Sequence, residues 1–214
     1  MVLDAARARP GAFIACIALF TFAASLFFRR LVLLDQPVAD DEATYRFIAQ
    51  TLLTGRVTNP LPDDPAFFKN QFVVMNAHGW HGKYPIGHPL VLALGEAVGL
   101  VALIPPLVGA LCVWLTHRVG SKLFDSRVAI AGTVLLFLSP HFVWTCGTLL
   151  SQPTLCLALL AGMLLVLNDA DRPRARNVLL AGFAFGFGIL VRPLPGSLFA
   201  LVAVAQLALD ARKR

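Results

Sequence analysis

The chain has 214 residues, 57% of them hydrophobic and only 14% charged. A soluble domain of this length cannot hide that much apolar surface, so lipid is the expected solvent for most of it. The net charge of +6 sits mainly in basic clusters between apolar runs, which is how membrane topology is written, and nucleic acid is a poor explanation for it.

Taken in chain order, residues 11–28 form the first apolar run, behind Arg7 and Arg9. The run is too long for a signal-peptide core and continues through Leu31 and Leu34, so an uncleaved first span over 11–34 is expected. Arg29 and Arg30 read as side chains that snorkel to phospholipid headgroups. Residues 35–84 then make one large connection holding half of the 12 acids. Its aromatic residues Phe67, Phe68, Phe72, Trp80 and Tyr84 give it surface to bury, so it is ordered rather than a linker. A helix is expected over 42–53, stopped by Gly55. "FVVMNAHGWHGKY" predicts a short hairpin with its turn near Asn76–Gly79.

The long apolar run from residue 89 to 115 contains Glu96, which at mid-bilayer costs roughly 3 kcal/mol, and is broken by Pro105 and Pro106. Residues 86–100 are therefore expected as an interfacial helix, followed by one span over 101–116. Further spans are expected over 128–144, 148–167, 178–191 and 194–209. Arg118, Lys122 and Arg127 form one basic cluster; Arg172, Arg174 and Arg176 form a second; Arg212, Lys213 and Arg214 form a third. Two apolar runs separate successive clusters, so all three face the cytoplasm with Arg7 and Arg9. The expected fold is an all-α polytopic membrane protein of about six transmembrane helices, with both termini cytoplasmic. It is one transmembrane domain over 1–214: first span 11–34, an outer loop with interfacial helices over 35–100, and five further spans over 101–210. The outer face also receives a turn at 139–147 and the 192–195 connection. His117, His141 and Asp210 read as boundary residues. The cysteines Cys16, Cys112, Cys146 and Cys156 show no metal spacing and read as small core hydrophobes.

Chemistry concentrates in "PVADDEATYRFIAQ", where Asp40, Asp41 and Glu42 adjoin just beyond the first span. One reading is a helix start: Asp41 caps the free backbone N–H groups and Glu42 complements the dipole. The other is a fixed, ionised carboxylate that accepts a proton from a bound hydroxyl. "HGKYPIGHPLVLALGE" places Lys83, Tyr84 and His88 among two prolines and a glycine at headgroup depth, either as an interface anchor or as a stiff cationic turn. His78, His81 and His88 offer a divalent metal as a minority reading; solvated or hydrogen-bonded histidines are the simpler one, and no cofactor is expected.

"DDEATY" after the first span, "YPIGHPLVLALG" entering the next membrane element and "LVRPLPG" later resemble, in their order, the membrane glycosyltransferases of the C superfold. The resemblance is to the dolichyl-phosphate-mannose protein mannosyltransferase and aminoarabinose transferase group, and it covers residues 11–209. It implies a transferase that takes a sugar from a polyprenyl-phosphate carrier at the outer leaflet and passes it to a protein, lipid or glycan acceptor. Asp41 matches the Asp at the reaction centre, with Glu42 following and Asp40 an extra acid. The stretch with Lys83, Tyr84 and His88 matches the turn near the donor phosphate, and Arg192 matches a basic residue on a later span. A single in-line attack inverts the sugar carbon. The implied site is the outer, periplasmic side of a bacterial inner membrane.

Members of that group carry more spans and often a C-terminal soluble domain, which points to a missing C-terminal half or a partner subunit for this chain. The competing reading is a non-catalytic membrane subunit, or truncated scaffold, that binds lipid or a partner. A transporter is disfavoured, because beyond Glu96 the expected spans hold no acids.

Overall fold

The computed structural model describes residues 10–168 and 174–212. Arg7, Arg9, Arg172, Lys213 and Arg214, which entered the topology argument, lie outside the described residues. The first helix, α1 (Pro10–Phe27), carries no charged residue and runs directly into a turn of π-helix, Phe28–Val32. Together they form a 23-residue element long and apolar enough to cross a membrane. Leu34 and Asp35 then adopt left-handed backbone conformations, φ 52° and 58°, which a side chain with a Cβ adopts only at a cost. The reversal turns the chain from the membrane element into the outer connection.

α2 (Asp40–Leu53) starts two residues earlier than expected, and Ala39 occupies its N-cap without a side-chain bond. The expected cap at Asp41 is thereby corrected: all three acids lie inside the first turn, where they complement the dipole. The capping work falls to Glu42, whose Oε1 accepts from the Val38 N–H at 3.0 Å, close to the back-reaching arm of a capping box. Gly55, at φ 73°, follows the helix end. The hairpin forms as expected, β1 (Val73–Asn76) antiparallel to β2 (Gly79–Gly82), with Asn76 paired to Gly79. Gly79 has φ 118°, and a Cβ there would lie 2.4 Å from the Asn59 carbonyl oxygen, so only glycine fits. Trp80 packs between the Phe47 and Phe68 rings at 4.6 and 5.2 Å, while Phe67 stays exposed.

α3 (Gly87–Glu96) is shorter than expected and is packed rather than laid on a surface. Leu92 and Ala93 join Tyr45 and Ala49 of α2, with Val101 and Leu149, in one buried cluster. A 3₁₀ turn at Val101–Leu103 leads into α4 (Ile104–Leu123), and the two make the second 23-residue element able to cross a membrane. Pro105 and Pro106 stand in its first turn, where their missing N–H groups cost nothing. The helix runs past the expected end at 116, and Arg118 lies over the Trp114 ring at 5.4 Å.

The apolar run expected as one span over 128–144 is two helices, α5 (Ser126–Leu138) and α6 (Pro140–Gly147), bent by 61°. Pro140 cannot donate the N–H that α5 needs to continue, and Ser139 Oγ accepts from the Phe142 N–H to start α6. The expected outer turn at 139–147 is therefore a short helix, packed on α1 and α4. α7 (Gln152–Asn168), α8 (Ala175–Val191) and α9 (Pro193–Arg212) follow. α4 is the hub, with α1, α5 and α7 against it; α8 packs on α7 and α9 on α8. Among the described residues two elements have the length and composition of spans, three if α5 and α6 count as one, and α7 to α9 are shorter apolar helices.

Candidate active site

On α2, residues four apart share a face, so Asp41 and Tyr45 point the same way. Glu42, about 100° further round, points towards the break between α6 and α7. Tyr45 is buried, and its hydroxyl lies 3.1 Å from Ser151 Oγ. The Tyr84 ring lies against it at 4.6 Å, with Phe72 on the far side at 5.3 Å. The Asp41 carboxylate acts on the Tyr84 hydroxyl. Burial first, and then the Asp41 carboxylate, hold the Tyr84 phenol well above its usual range. Burial likewise raises Tyr45, opposed by its bond to Ser151 and by Arg192. Both phenols therefore stay protonated donors at neutral pH.

Arg192 is the single residue between α8 and α9 and is half-buried. It reaches the site because α3 begins hard against the end of α8: a Cβ on Gly87 would lie 2.6 Å from the Leu190 carbonyl and the Val191 nitrogen. The guanidinium acts electrostatically on Tyr45, Tyr84 and His88. Asp41, Tyr45, Tyr84 and Arg192 thus form one cluster of a carboxylate, two phenols and a cation, drawn from α2, the post-hairpin turn and the α8–α9 junction.

The remaining expected site residues are placed differently. His88 is 1% exposed, with Nε2 2.8 Å from the Leu149 carbonyl and Nδ1 2.9 Å from Thr154 Oγ1. A carbonyl only accepts, so Nε2 carries the hydrogen and Nδ1 accepts from the threonine. Burial depresses the ring to about 4. The expectation of a cationic turn is corrected at this residue, because His88 is neutral with both nitrogens used. Glu42 is 0% exposed, and its second oxygen accepts from the Leu149 N–H at 2.8 Å. Asp40 is exposed. Lys83 is exposed too, with Nζ 5.8 Å from the Phe72 ring centre.

Arg29 does not reach headgroups: it is 2% exposed, donates to the Gly147 carbonyl at 3.2 Å and faces Asp35 at 3.3 Å. Arg30 pairs with the same Asp35. Glu96 is tied to Arg46 of α2. His78 and His81 stand on the hairpin and His88 within α3, and among the described residues no three His, Cys, Asp or Glu gather where they could hold a metal.

Sequence reasoning missed Tyr45, Ser151 and Thr154. The i to i+4 spacing of Asp41 and Tyr45 was a usable signal for the first. "TLLSQPT", with hydroxyls on both sides of Pro153 at a helix start, was the signal for the others.

Comparison with curated proteins and with solved structures finds no match. A family model described as dolichyl-phosphate-mannose-protein mannosyltransferase matches residues 85–214. The match begins one residue after Tyr84 and takes in His88, Ser151, Thr154 and Arg192, leaving α2 and its acids outside it. At a coarse level the family carries glycosyl transfer from polyprenyl-phosphate sugar donors, and its membrane character agrees with the apolar helices. Matched over well more than half its length, this integral membrane chain belongs to the dolichyl-phosphate-mannose-protein mannosyltransferase family.

Proposed function

We propose that the chain moves a sugar from a polyprenyl-phosphate carrier to an acceptor hydroxyl at the outer face of the membrane, with inversion and with Asp41 as the base. The observation that carries this reading is the cluster itself: Asp41 and Arg192 both act on the stacked phenols Tyr45 and Tyr84. The acceptor oxygen attacks the anomeric carbon from the face opposite the phosphate. The bond from that carbon to the phosphate oxygen breaks, the electron pair leaves on the phosphate, and the acceptor proton passes to Asp41. Phosphate is a good leaving group, so a cation suffices to receive its charge, and Arg192 supplies it.

In this reading α1, α4, the bent α5–α6 pair, α7, α8 and α9 are six membrane elements of a single domain, with both termini cytoplasmic. The 35–100 loop and Arg192 then lie on the outer side, which in a bacterium is the periplasmic face of the inner membrane. The donor is a polyprenyl-phosphate sugar, and the acceptor is a protein, lipid or glycan hydroxyl.

The test is transfer from a polyprenyl-phosphate sugar by the full chain in lipid nanodiscs. Asp41→Asn is expected to slow transfer by roughly 100- to 10,000-fold while stability changes by less than about 1 kcal/mol, since Asp41 caps nothing and contributes only to the dipole. Arg192→Ala is expected to cost about ten- to a hundredfold. Wild-type rates from Asp41→Asn would rule out Asp41 as the base, and a wild-type chain without transfer would leave it as a membrane subunit without this chemistry.

A further inference from the structure

Residues Thr148, Leu149, Leu150 and Ser151 are all buried, yet they belong to no helix. Buried backbone outside regular structure must find its hydrogen-bond partners elsewhere. Here the outer-loop helices supply them. Glu42 of α2 accepts from the Leu149 N–H, His88 of α3 donates to the Leu149 carbonyl, and Tyr45 meets the Ser151 hydroxyl. One peptide residue is thus gripped at both polar groups by side chains 107 and 61 positions away in sequence.

The chemistry of the grip is selective. Two N–H groups, from Val38 and Leu149, converge on the two oxygens of Glu42. A carboxylate accepts from both, whereas an amide of the same shape would turn its NH₂ against one of them. The charge on Glu42 also acts on Arg29, which is itself 2% exposed and paired with Asp35.

We propose that Glu42 is the positioning residue of the site rather than an acid or base. With His88 it locks α2 and α3 onto Leu149 and so sets the rotation of α2 that presents Asp41 to Tyr84 and Arg192. This rests on the transferase reading above. Asp41 precedes Glu42 by one step of about 100° around the helix. Pinning residue 42 towards the α6–α7 break therefore leaves residue 41 a single direction. The three adjacent acids divide accordingly: Asp40 faces solvent, Asp41 faces the reaction, and Glu42 holds the frame.

The test has two arms, both on the full chain in nanodiscs. Hydrogen–deuterium exchange of the peptide covering 148–151 reads the grip without any activity. Glu42→Gln is expected to speed its exchange about ten- to a hundredfold. In the transfer assay the same variant is expected to lower kcat about a hundredfold, the scale of a small misplacement. It should leave KM for the lipid-linked sugar and the acid limb of the pH profile where they are in the wild type. His88→Gln keeps an N–H donor in the place of Nε2 and is expected to retain protection and most transfer, where His88→Leu loses both. Unchanged exchange in Glu42→Gln, or loss of the acid limb in that variant, would overturn the proposal, as would equal damage from His88→Gln and His88→Leu. A wild-type chain without transfer would overturn the transferase reading, while the exchange arm would still decide for or against the grip.

Discussion

The two ends of α3 are fastened to the rest of the molecule by opposite means. At its start His88 is sealed from solvent, neutral, and bonded to a carbonyl and a hydroxyl. At its end Glu96 is ionic and bound to an Arg46 that is 46% exposed. The difference follows from solvation. A charge deep in the molecule loses its hydration and survives only with full compensation, so the deep fastening is made of neutral groups. Near solvent a charged pair carries little desolvation cost and gives little stability in return. The deep end should therefore dominate both stability and the site.

Replacing His88 with Leu is the strongest way to break this contrast. It orphans the Leu149 carbonyl and the Thr154 hydroxyl, at about 1–3 kcal/mol each, and a denaturation midpoint in detergent should fall accordingly. A loss no larger than that from Glu96→Gln would erase the distinction between the two ends.

Acidification attacks the same end without mutation. An unfolded histidine protonates near 6.5 and the folded His88 at about 4, so between these values the unfolded chain binds more protons. The contribution is fully present above about 6.5 and is lost as pH falls towards about 4, by about 3 kcal/mol in all. Melting temperature followed from pH 7 to pH 4 should drop in the wild type, and the drop should be much shallower in His88→Gln. Equal slopes would assign the acid sensitivity to other groups.

The exposed end should respond weakly. Glu96→Gln keeps a hydrogen bond to Arg46 and should cost well under about 1 kcal/mol, less still in high salt. Smallest of all is Lys83→Met, which removes an exposed cation from the Phe72 ring, worth about 0.5–1 kcal/mol. Its effect on transfer should stay below that of Arg192→Ala, and the reverse order would move the phosphate towards the hairpin.

The local features of this fold were legible because local chemistry writes them. Gly55 and Gly79 stop or turn the chain where expected, and Pro105 and Pro106 mark where α4 begins. The apolar runs gave the long helices. What escaped was polar and distant. Nothing around Glu42 or His88 in sequence names Leu149 as their common partner, and a buried hydrogen bond leaves no periodic trace. Arg29 was misplaced for a related reason: at the end of an apolar run snorkelling is the default, and only the Gly147 carbonyl across the bundle draws it inward. The break at Ser139–Pro140 was readable and was undervalued beside an otherwise continuous apolar run. Of the candidate cluster, the sequence named Asp41, Tyr84 and Arg192 singly; Tyr45 joins them only when α2 is turned to face the other three.

α7 and α8 have 17 residues each, about 25 Å of helix, against a hydrocarbon thickness of about 30 Å. Where they cross the membrane, as proposed above, the bilayer beside them must thin to close the shortfall. In the proposed orientation Arg192, just past the end of α8, lies on the outer side, and a dimple there would bring phosphate groups down to its level. A carrier whose tail never leaves the bilayer could then present its head to the guanidinium by lateral diffusion alone, and membrane thickness becomes a variable of the reaction.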